Sequence, residues 1–282
     1  MSLPSRVVLL GDPVSHSLSP VFQNAALRHA GIPVVYEPMR VDARDLPNRL
    51  RELKAEKAGG NVTVPHKLAA YRECDRATII AVRVGAINTF WTEDGLLHGD
   101  NTDVDGFSRA VTQLVGQQPE GARVVLFGAG GAAAAVLAAI EHWVGASALI
   151  ISRNPVRAAN VLARFSDVAR VETDMRHALA EATLVVNATP IGQRDDDQPC
   201  DVRLIADRAA VMDLVYRNGG TPWVNAAKKR GLLAEDGLPM LVEQGALSFH
   251  RWFGIEPNRE VMQRSLSQDS NHKTSAGASR QR

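Results

Sequence analysis

Short runs of apolar residues alternate with longer amphipathic stretches along most of the chain. In the first part, apolar runs predict β-strands at 6–10, 34–40, 60–64, 86–92 and 96–99. The amphipathic stretches predict helices at 20–30 and 45–57, and two short helices within 68–82. Ser19 is predicted to cap the first of these helices, because it precedes Pro20, a residue favoured in the first helical turn.

The alternation continues in the second part, after a helix at 105–115 and a polar, glycine-rich break at 116–121. Strands are predicted at 123–127, 148–151, 184–187 and 210–214, and helices at 132–144, 155–165, 238–253 and 258–267. The remaining residues, 268–282, are polar and are predicted to be disordered. Strands that alternate with helices form parallel sheets covered by helices, so the predicted fold class is α/β, with two lobes divided near the break.

The overall charge and the cysteine content exclude several classes of function. The formal net charge of +1 lacks the basic excess that nucleic-acid binding requires. Cys74 and Cys200 are far apart and show no metal-binding spacing. The most apolar stretch, 128–151, is interrupted by Glu141 and His142 and is too broken for a membrane span. We therefore expect a cytoplasmic protein with a small-molecule substrate and no nucleic-acid, membrane or metal partner.

A glycine-rich loop follows the predicted strand 123–127 and leads directly into a helix. Its sequence is Gly128-Ala129-Gly130-Gly131-Ala132-Ala133, which fits the dinucleotide-binding pattern GxGxx(G/A). Gly128 would permit the tight turn, Gly130 would let the backbone approach a pyrophosphate, and Ala133 would let the helix pack close to the strand. The strand before the loop and the helix after it indicate dinucleotide binding rather than a simple turn.

The end of the next strand in this unit indicates which dinucleotide is bound. An NAD enzyme would place an acidic residue there to accept a hydrogen bond from the ribose 2′-hydroxyl. This chain has Ser152 and Arg153 instead, with Arg157 close behind, and a guanidinium offers a planar donor fork to a 2′-phosphate. The alternative is that both arginines are ordinary surface cations. The pattern favours NADP.

Four polar segments in the first part lie near predicted strand ends, where open α/β sheets bind ligands. They span 11–20, 61–67, 86–89 and 99–103, and they collect hydroxyls, amides, one lysine and one strong acid candidate, Asp103. Such a set suits a small, polyhydroxylated anion. Each segment also has a structural explanation: Ser19 as a helix cap, Asn61 and Thr63 as strand-end packing, and 101–103 as a capping loop. Their conjunction favours a binding site.

These segments together resemble the shikimate dehydrogenase family. The glycine loop fits the same family, as do Asn187-Ala188-Thr189-Pro190, Asp213-Leu214-Val215-Tyr216 and residues 236–244. The resemblance covers about residues 6–265. One departure is Ser152-Arg153-Asn154, where the family commonly has Asn-Arg-Thr, which weakens the assignment of individual 2′-phosphate contacts.

The resemblance implies a role for each matching residue. Lys67 and Asp103 would be the catalytic pair. The substrate-binding residues would be Ser17, Ser19, Asn61, Thr63, Asn88, Tyr216 and Gln244. The cofactor, NADP, would be held by Gly128, Ala129, Gly130, Gly131, Ala132, Ser152, Arg153, Arg157 and Thr189. Residues 1–103, joined by helices in 238–267, would form a substrate-binding domain, and 104–237 would form a Rossmann-type NADP-binding domain. The sequence does not determine the oligomeric state, and a homodimer is one of the alternatives.

The activity that the resemblance implies is the reversible, NADPH-dependent reduction of 3-dehydroshikimate to shikimate. Hydride transfer to the ketone leaves negative charge on its oxygen, which needs a proton. Lys67 would supply it, held in position by Asp103. Quinate/shikimate or aminoshikimate dehydrogenases and another NADP-linked oxidoreductase on this scaffold are alternatives, and the serine pair Ser17 and Ser19 favours shikimate. A non-catalytic shikimate-binding sensor is a further alternative, which the intact catalytic pair and glycine loop disfavour.

Overall fold

The computed structural model describes residues 3–278, with side chains described as far as Gln268. The chain forms two compact units. The first consists of the residues up to Thr102 together with those from Val242 onward, and the second is Asp103–Leu241. The boundaries predicted from the sequence, at 103 and 237, lie within a few residues of these. Between residues 3 and 278, no helix is both long enough and apolar enough to cross a bilayer.

The secondary structure consists of twelve strands and eleven α-helices in the described residues, with a 3-10 turn at Val202–Leu204. The strands are β1 Val7–Gly11, β2 Tyr36–Arg40, β3 Gly59–Val62, β4 Arg76–Ala77, β5 Thr89–Glu93, β6 Leu96–Asp100, β7 Arg123–Phe127, β8 Ser147–Ile151, β9 Ala169–Val171, β10 Leu184–Asn187, β11 Ala210–Asp213 and β12 Ala234–Glu235. The helices are α1 Ser19–His29, α2 Leu46–Ala55, α3 Lys67–Glu73, α4 Ile79–Val84, α5 Asp103–Val115, α6 Gly131–Ile140, α7 Pro155–Phe165, α8 Met175–Glu181, α9 Pro222–Lys229, α10 Leu238–Phe253 and α11 Arg259–Ala278.

The first unit is built on a mixed sheet with the strand order β2-β1-β3-β5-β6-β4. β1 pairs in parallel with β2 and β3, while β5 is antiparallel to both β3 and β6. Gly60 allows the close pairing of β1 and β3, since a Cβ at this position would lie 2.3 Å from the carbonyl oxygen of Val8. Val8, Leu50 and Phe90 belong to the buried core of this unit. The parallel strands β1 and β3 therefore end at the same edge of the sheet.

The second unit has an entirely parallel sheet with the strand order β12-β11-β10-β7-β8-β9. Its strands are apolar because helices cover the sheet, as is usual for parallel sheets. The helix α6 follows the glycine loop and is buried from Ala133 to Ile140. Small alanine side chains let this helix pack close to the sheet. The predicted α/β fold with a Rossmann-type second unit is confirmed.

The structure corrects two predictions about helix ends. Leu18, not Ser19, is the N-cap of α1, because the backbone is already helical at Leu18 and Ser19 is the first residue of the helix. Residues 268–278, predicted to be disordered, continue α11 as far as Ala278. Residues 268–276 contain no proline or glycine that would end this helix. The rest of the predicted tail, 279–282, lies outside the described residues.

Candidate functional site

The glycine loop after β7 has the backbone geometry of an anion-binding helix start. Gly128 adopts φ +111°, and a Cβ there would lie 2.9 Å from the carbonyl oxygen of Ala188. Gly130 is the N-cap of α6, with no side chain capping the first turn. At Gly130 and Gly131 a Cβ would meet open space. The backbone N–H groups of the first turn, including that of Ala132, are left for an anion such as a pyrophosphate.

The turn after β8 presents two arginines beside this loop. The Oγ of Ser152 accepts the N–H of Asn154 at 3.2 Å, and Asn154 in turn caps α7 by accepting the N–H of Arg157 at 2.9 Å. Arg153 and Arg157 are exposed, and neither guanidinium has an ion-pair partner among the described residues. Both donor forks are thus available to a ligand, and the turn carries no carboxylate for a ribose hydroxyl. These residues fit NADP.

The loop after β10 holds Thr189 in a fixed orientation. The Oδ1 of Asn187 accepts hydrogen bonds from the backbone N–H of Thr189 at 3.0 Å and from its hydroxyl at 2.6 Å. Thr189 is half-buried, and its Cγ2 lies close to Gly128 of the glycine loop. The structure therefore places Thr189 beside the predicted pyrophosphate loop.

In the first unit, Asn88 is the centre of a buried polar cluster. Its Nδ2 donates to the Oγ1 of Thr102 at 2.9 Å and to the Oε1 of Gln244 at 3.1 Å. Its Oδ1 accepts the backbone N–H of Thr102 at 2.8 Å. The hydroxyl of Thr102 also lies 3.1 Å from that of Ser248 on α10. The predicted residues Asn88 and Gln244 are thus brought together.

Asn61 extends this cluster towards the start of α1. Its Nδ2 donates to the carbonyl oxygen of Asn88 at 3.0 Å and to the Oγ of Ser248 at 2.9 Å, and its Oδ1 accepts from the hydroxyl of Tyr36 at 2.8 Å. Burial raises the pKa of Tyr36 well above its usual range, and a hydrogen bond with Ser19 opposes the rise. The predicted residues Ser19 and Asn61 are therefore linked through a tyrosine that the sequence did not single out.

Three more predicted residues lie at the carboxyl edge of β1 and β3 and remain partly accessible. Ser17 is half-buried, and its Oγ accepts the N–H of Ser19 at 3.2 Å. Thr63 directly follows β3, and Lys67 is the first residue of α3; both are half-buried. The buried imidazole of His66 fixes the start of that helix, with its Nε2 2.6 Å from the carbonyl oxygen of Val41. These positions allow contact with a ligand.

The other two predicted residues belong to the second unit. Asp103 is the first residue of α5 and is buried, and Tyr216 is half-buried three residues after β11. The sequence assigned Asp103 to the first domain, whereas the structure groups it with the second. The two assignments differ by one residue, because the boundary lies in the short connection between the end of β6 at Asp100 and the start of α5 at Asp103.

Sequence reasoning missed several buried polar residues around the site. Tyr36 and Ser248 sit within hydrophobic patterns and are linked to the site only by contacts between distant residues. Thr102 lies within the polar segment 99–103, and the polarity of that segment is the sequence signal that could have identified it. Across the described residues, no group of His, Cys, Asp and Glu side chains is arranged to hold a metal ion.

Comparison with known proteins gives the same family over nearly the whole chain. The family model described as the shikimate dehydrogenase substrate binding domain matches residues 9–90, and the shikimate 5′-dehydrogenase C-terminal domain matches residues 237–266. The shikimate dehydrogenase (NADP(+)) of Methylocella silvestris is 39% identical over 259 residues, covering 89% of this chain and 91% of that protein. The chain belongs to the shikimate dehydrogenase family.

Two further members of the family agree with this assignment. The shikimate dehydrogenase (NADP(+)) of Rubrobacter xylanophilus is 41% identical over 272 residues, and the match covers 93% of this chain and 95% of that protein. The shikimate 5-dehydrogenase of Thermus thermophilus, crystallised with NADP(H) and shikimate, superposes with a TM-score of 0.85 at 35% identity, covering 93% of this chain and 98% of that one. The predicted family is confirmed, and these names support NADP and shikimate over the alternative ligands.

Proposed function

We propose that this chain catalyses the reversible, NADPH-dependent reduction of 3-dehydroshikimate to shikimate in the shikimate pathway of aromatic amino acid biosynthesis. The main support is the 39% identity to a shikimate dehydrogenase (NADP(+)) over 89% of the chain. The buried cluster around Asn88 supports the same conclusion, because it gathers amides and hydroxyls suited to a polyhydroxylated ligand.

Most of the proposed substrate-binding residues lie at the polar edge of the first unit. Ser17 and Ser19 bind the carboxylate, because their hydroxyls stand at the start of α1. The ring hydroxyls are bound by Thr63, Lys67, Asn88, Asp103 and Gln244. Asn61 and Tyr216 are secondary contacts, and in Asn61 the amide is already hydrogen-bonded at both ends. A site built to hydrogen-bond hydroxyls rejects analogues that leave its polar groups unpaired.

The cofactor site is the carboxyl edge of the sheet in the second unit. The loop from Gly128 to Ala132 holds the pyrophosphate through backbone N–H groups, and Thr189 lies against the cofactor. Ser152, Arg153 and Arg157 hold the 2′-phosphate of the adenosine. Bound NADPH supplies the hydride. The uncapped start of α6 and the two exposed arginines support this assignment.

The protein's own chemistry is proton transfer at the ketone oxygen. Lys67 donates a proton to that oxygen in the reduction direction and accepts the alcohol proton in the reverse direction. Its ammonium also stabilises the negative charge that develops on the oxygen. Asp103 holds Lys67 in position for this proton transfer. The half-buried location of Lys67 at the first turn of α3 supports this role.

The test is the substrate and cofactor range of the wild type. Purified protein is mixed with NADP⁺ or NAD⁺ and with shikimate or quinate, and absorbance at 340 nm is followed. Reduction of NADP⁺ by shikimate at the highest kcat/KM of the four pairs is expected. Equal use of quinate and NAD⁺ would instead establish a quinate/shikimate dehydrogenase, and shikimate binding without turnover would establish a sensor.

The proposed location is the cytoplasm, where thiols stay reduced. Cys74 and Cys200 are both free thiols, which suits that compartment.

A homodimer is the oligomeric state to test by light scattering. The exposed apolar side chains Ile79 and Val82 of α4 would suit such an association.

A further inference from the structure

Two neighbouring parallel strands of the second unit end in polar residues that face each other. In the pairing of β10 with β11, Asn187 is opposite Asp213. Each is the last residue of its strand, and each is fully buried. The loop that follows Asn187 carries Thr189, and the loop that follows Asp213 carries Tyr216. Loops at the carboxyl edge of a parallel sheet are where ligands bind.

The carboxylate of Asp213 accepts three hydrogen bonds. Its Oδ1 accepts from the Nδ2 of Asn187 at 2.9 Å and from the backbone N–H of Val215 at 3.0 Å. Its Oδ2 accepts from the hydroxyl of Thr221, the N-cap of α9, at 2.8 Å. One buried side chain therefore ties together the ends of two strands and the start of a helix.

This arrangement fixes which way the amide of Asn187 points. The Oδ1 of Asp213 accepts a hydrogen bond from the N–H of Val215, so it can only accept from Asn187 as well. The NH₂ group of Asn187, and not its amide oxygen, must therefore face Asp213. The amide oxygen then faces the opposite side, where it accepts both the N–H and the hydroxyl of Thr189. The orientation of the Thr189 hydroxyl is thus set by Asp213 through Asn187.

A second link joins the same two loops further out. The Nη1 of Arg217 donates to the carbonyl oxygens of Asp195 at 2.7 Å and of Gly192 at 3.4 Å. The backbone N–H of Arg217 is in turn held by the carboxylate of Asp236. The loops after β10 and β11 are therefore joined at their base by Asp213 and at their rim by Arg217.

We propose that Asp213 is a positioning residue of the reaction: by orienting the Asn187 amide it holds Thr189, and by binding the N–H of Val215 it holds the turn that carries Tyr216. The part of Thr189 in cofactor binding rests on the proposed function. Asp213 itself lies too deep to touch the cofactor, since it is fully buried among its three partners. It acts through Thr189 and Tyr216.

The test compares Asp213→Ala with Asp213→Asn, and Asp201→Ala serves as the matched control. Asp201 also accepts a backbone N–H, that of Arg203, but it caps the 3-10 turn away from these loops. The dissociation constant for NADP⁺ is measured directly by titration calorimetry, and kcat is measured with shikimate, both well below the melting temperature. For Asp213→Ala we expect about tenfold weaker NADP⁺ binding and about tenfold lower kcat, because a small displacement of a binding group has a large effect on rate.

In Asp213→Asn, the amide oxygen takes the place of Oδ1 and keeps the hydrogen bonds from Asn187 and Val215. The new NH₂ group faces Thr221, whose hydroxyl oxygen can accept a hydrogen bond from it. Recovery to within about threefold of the wild type is therefore expected. A double-mutant cycle with Thr189→Val separates positioning from general destabilisation. If Asp213 acts through Thr189, the effects on NADP⁺ affinity are less than additive. If Asp213→Ala leaves NADP⁺ affinity and kcat at wild-type values while lowering the melting temperature as Asp201→Ala does, the inference is wrong.

A further variant covers the case in which Asp213→Ala does not fold. Asn187→Ala removes the connecting amide and keeps the carboxylate, and the same loss of NADP⁺ affinity is expected. Unchanged affinity in Asn187→Ala would overturn the inference. A wild type that binds NADP⁺ but does not oxidise shikimate would contradict the proposed function, and the NADP⁺ dissociation constants of the variants would then decide the role of Asp213.

Discussion

Asn88 and Gln244 lie 156 positions apart in the chain and are joined by a hydrogen bond of 3.1 Å from Nδ2 to Oε1. This bond ties α10 to the residue that precedes β5. Thr102 closes the same cluster, because its hydroxyl also donates to the carbonyl oxygen of Gln244 at 3.0 Å. The returning C-terminal helix is thus held by the polar side chains proposed to bind the substrate.

Asn88→Ala should weaken both the fold and the substrate site. The change removes the acceptor for the N–H of Thr102 and the donor to Gln244, and unpaired buried groups of this kind cost about 1–3 kcal/mol each. Because two groups are affected, urea unfolding should show a decrease of about 2–6 kcal/mol in the unfolding free energy, and KM for shikimate should rise. Asn48→Ala, at an exposed position on α2, is the control. Unfolding and KM values equal to those of the control would show that the cluster contributes neither stability nor binding.

Replacing Arg153 and Arg157 with alanine should change the choice of cofactor without changing stability. Both side chains are exposed, so their loss removes no buried contact. The expected result is at least about tenfold weaker NADP⁺ binding with unchanged NAD⁺ binding, since charge-assisted hydrogen bonds to a 2′-phosphate contribute about 1.5–3 kcal/mol. Binding is measured by calorimetry, with Arg170→Ala, another exposed arginine, as control. Equal loss for both dinucleotides would contradict the assigned phosphate contact.

Gly128→Ala and Gly130→Ala should differ in their effects. At Gly128 the positive φ and the nearby carbonyl of Ala188 make a side chain costly, so a loss of about 1–3 kcal/mol in unfolding free energy is expected. At Gly130 a Cβ meets only open space within the protein, so stability should change by less than about 1 kcal/mol. NADP⁺ affinity should nevertheless fall sharply in Gly130→Ala, because the Cβ occupies space that the pyrophosphate requires. Full affinity in that variant would refute the loop's proposed role.

Asp213 should make the stability of the protein depend on pH. Burial raises the pKa of its carboxyl from about 4 in the unfolded chain to about 6 in the folded state. Because the folded pKa is raised, the native state loses stability as pH rises from about 4 to about 6, and the penalty then stays constant. Since one pKa unit corresponds to about 1.4 kcal/mol, the loss is at most about 3 kcal/mol.

Asp213→Asn removes this ionisation. Relative to the wild type, the unfolding free energy of Asp213→Asn should therefore increase between pH 4 and pH 7, as measured by urea unfolding at several pH values. Asp201→Asn is the control, because hydrogen bonds from Arg203 lower the pKa of Asp201 to about 2. Its pH-dependent contribution to stability is therefore lost only below about pH 4, and its difference from the wild type should stay constant between pH 4 and pH 7. A difference between Asp213→Asn and wild type that does not vary with pH would contradict the raised pKa of Asp213.

The sequence predicted the parts of the fold that depend on local patterns. The strand 123–127, the helix 155–165 and the strand 184–187 have the predicted bounds. Their ends are defined by the spacing of apolar residues and by proline and glycine, and these signals affect the backbone only within a few residues. The short strand β9 and the helices α8 and α9 were not predicted. They are brief elements whose formation depends on packing against the sheet rather than on a repeating pattern.

The site was predicted only as far as polar residues appeared together in short segments. Asn61, Asn88 and Gln244 came from such segments, and the structure joins them. Tyr36 and Ser248 could not be found in this way, because their hydrogen bonds to Asn61 span 25 and 187 positions of the chain. The catalytic roles of Lys67 and Asp103 are still predictions.

The most direct test of those roles is the rate of NADP⁺ reduction by shikimate in the wild type and in Lys67→Ala. Lys229→Ala, which removes an exposed lysine from α9, is the control. General acid–base groups contribute about 10²–10⁴ in rate, so kcat of Lys67→Ala should fall by at least about 100-fold, while the control keeps the wild-type rate. A folded Lys67→Ala protein that oxidises shikimate as fast as the wild type would contradict the proposed mechanism.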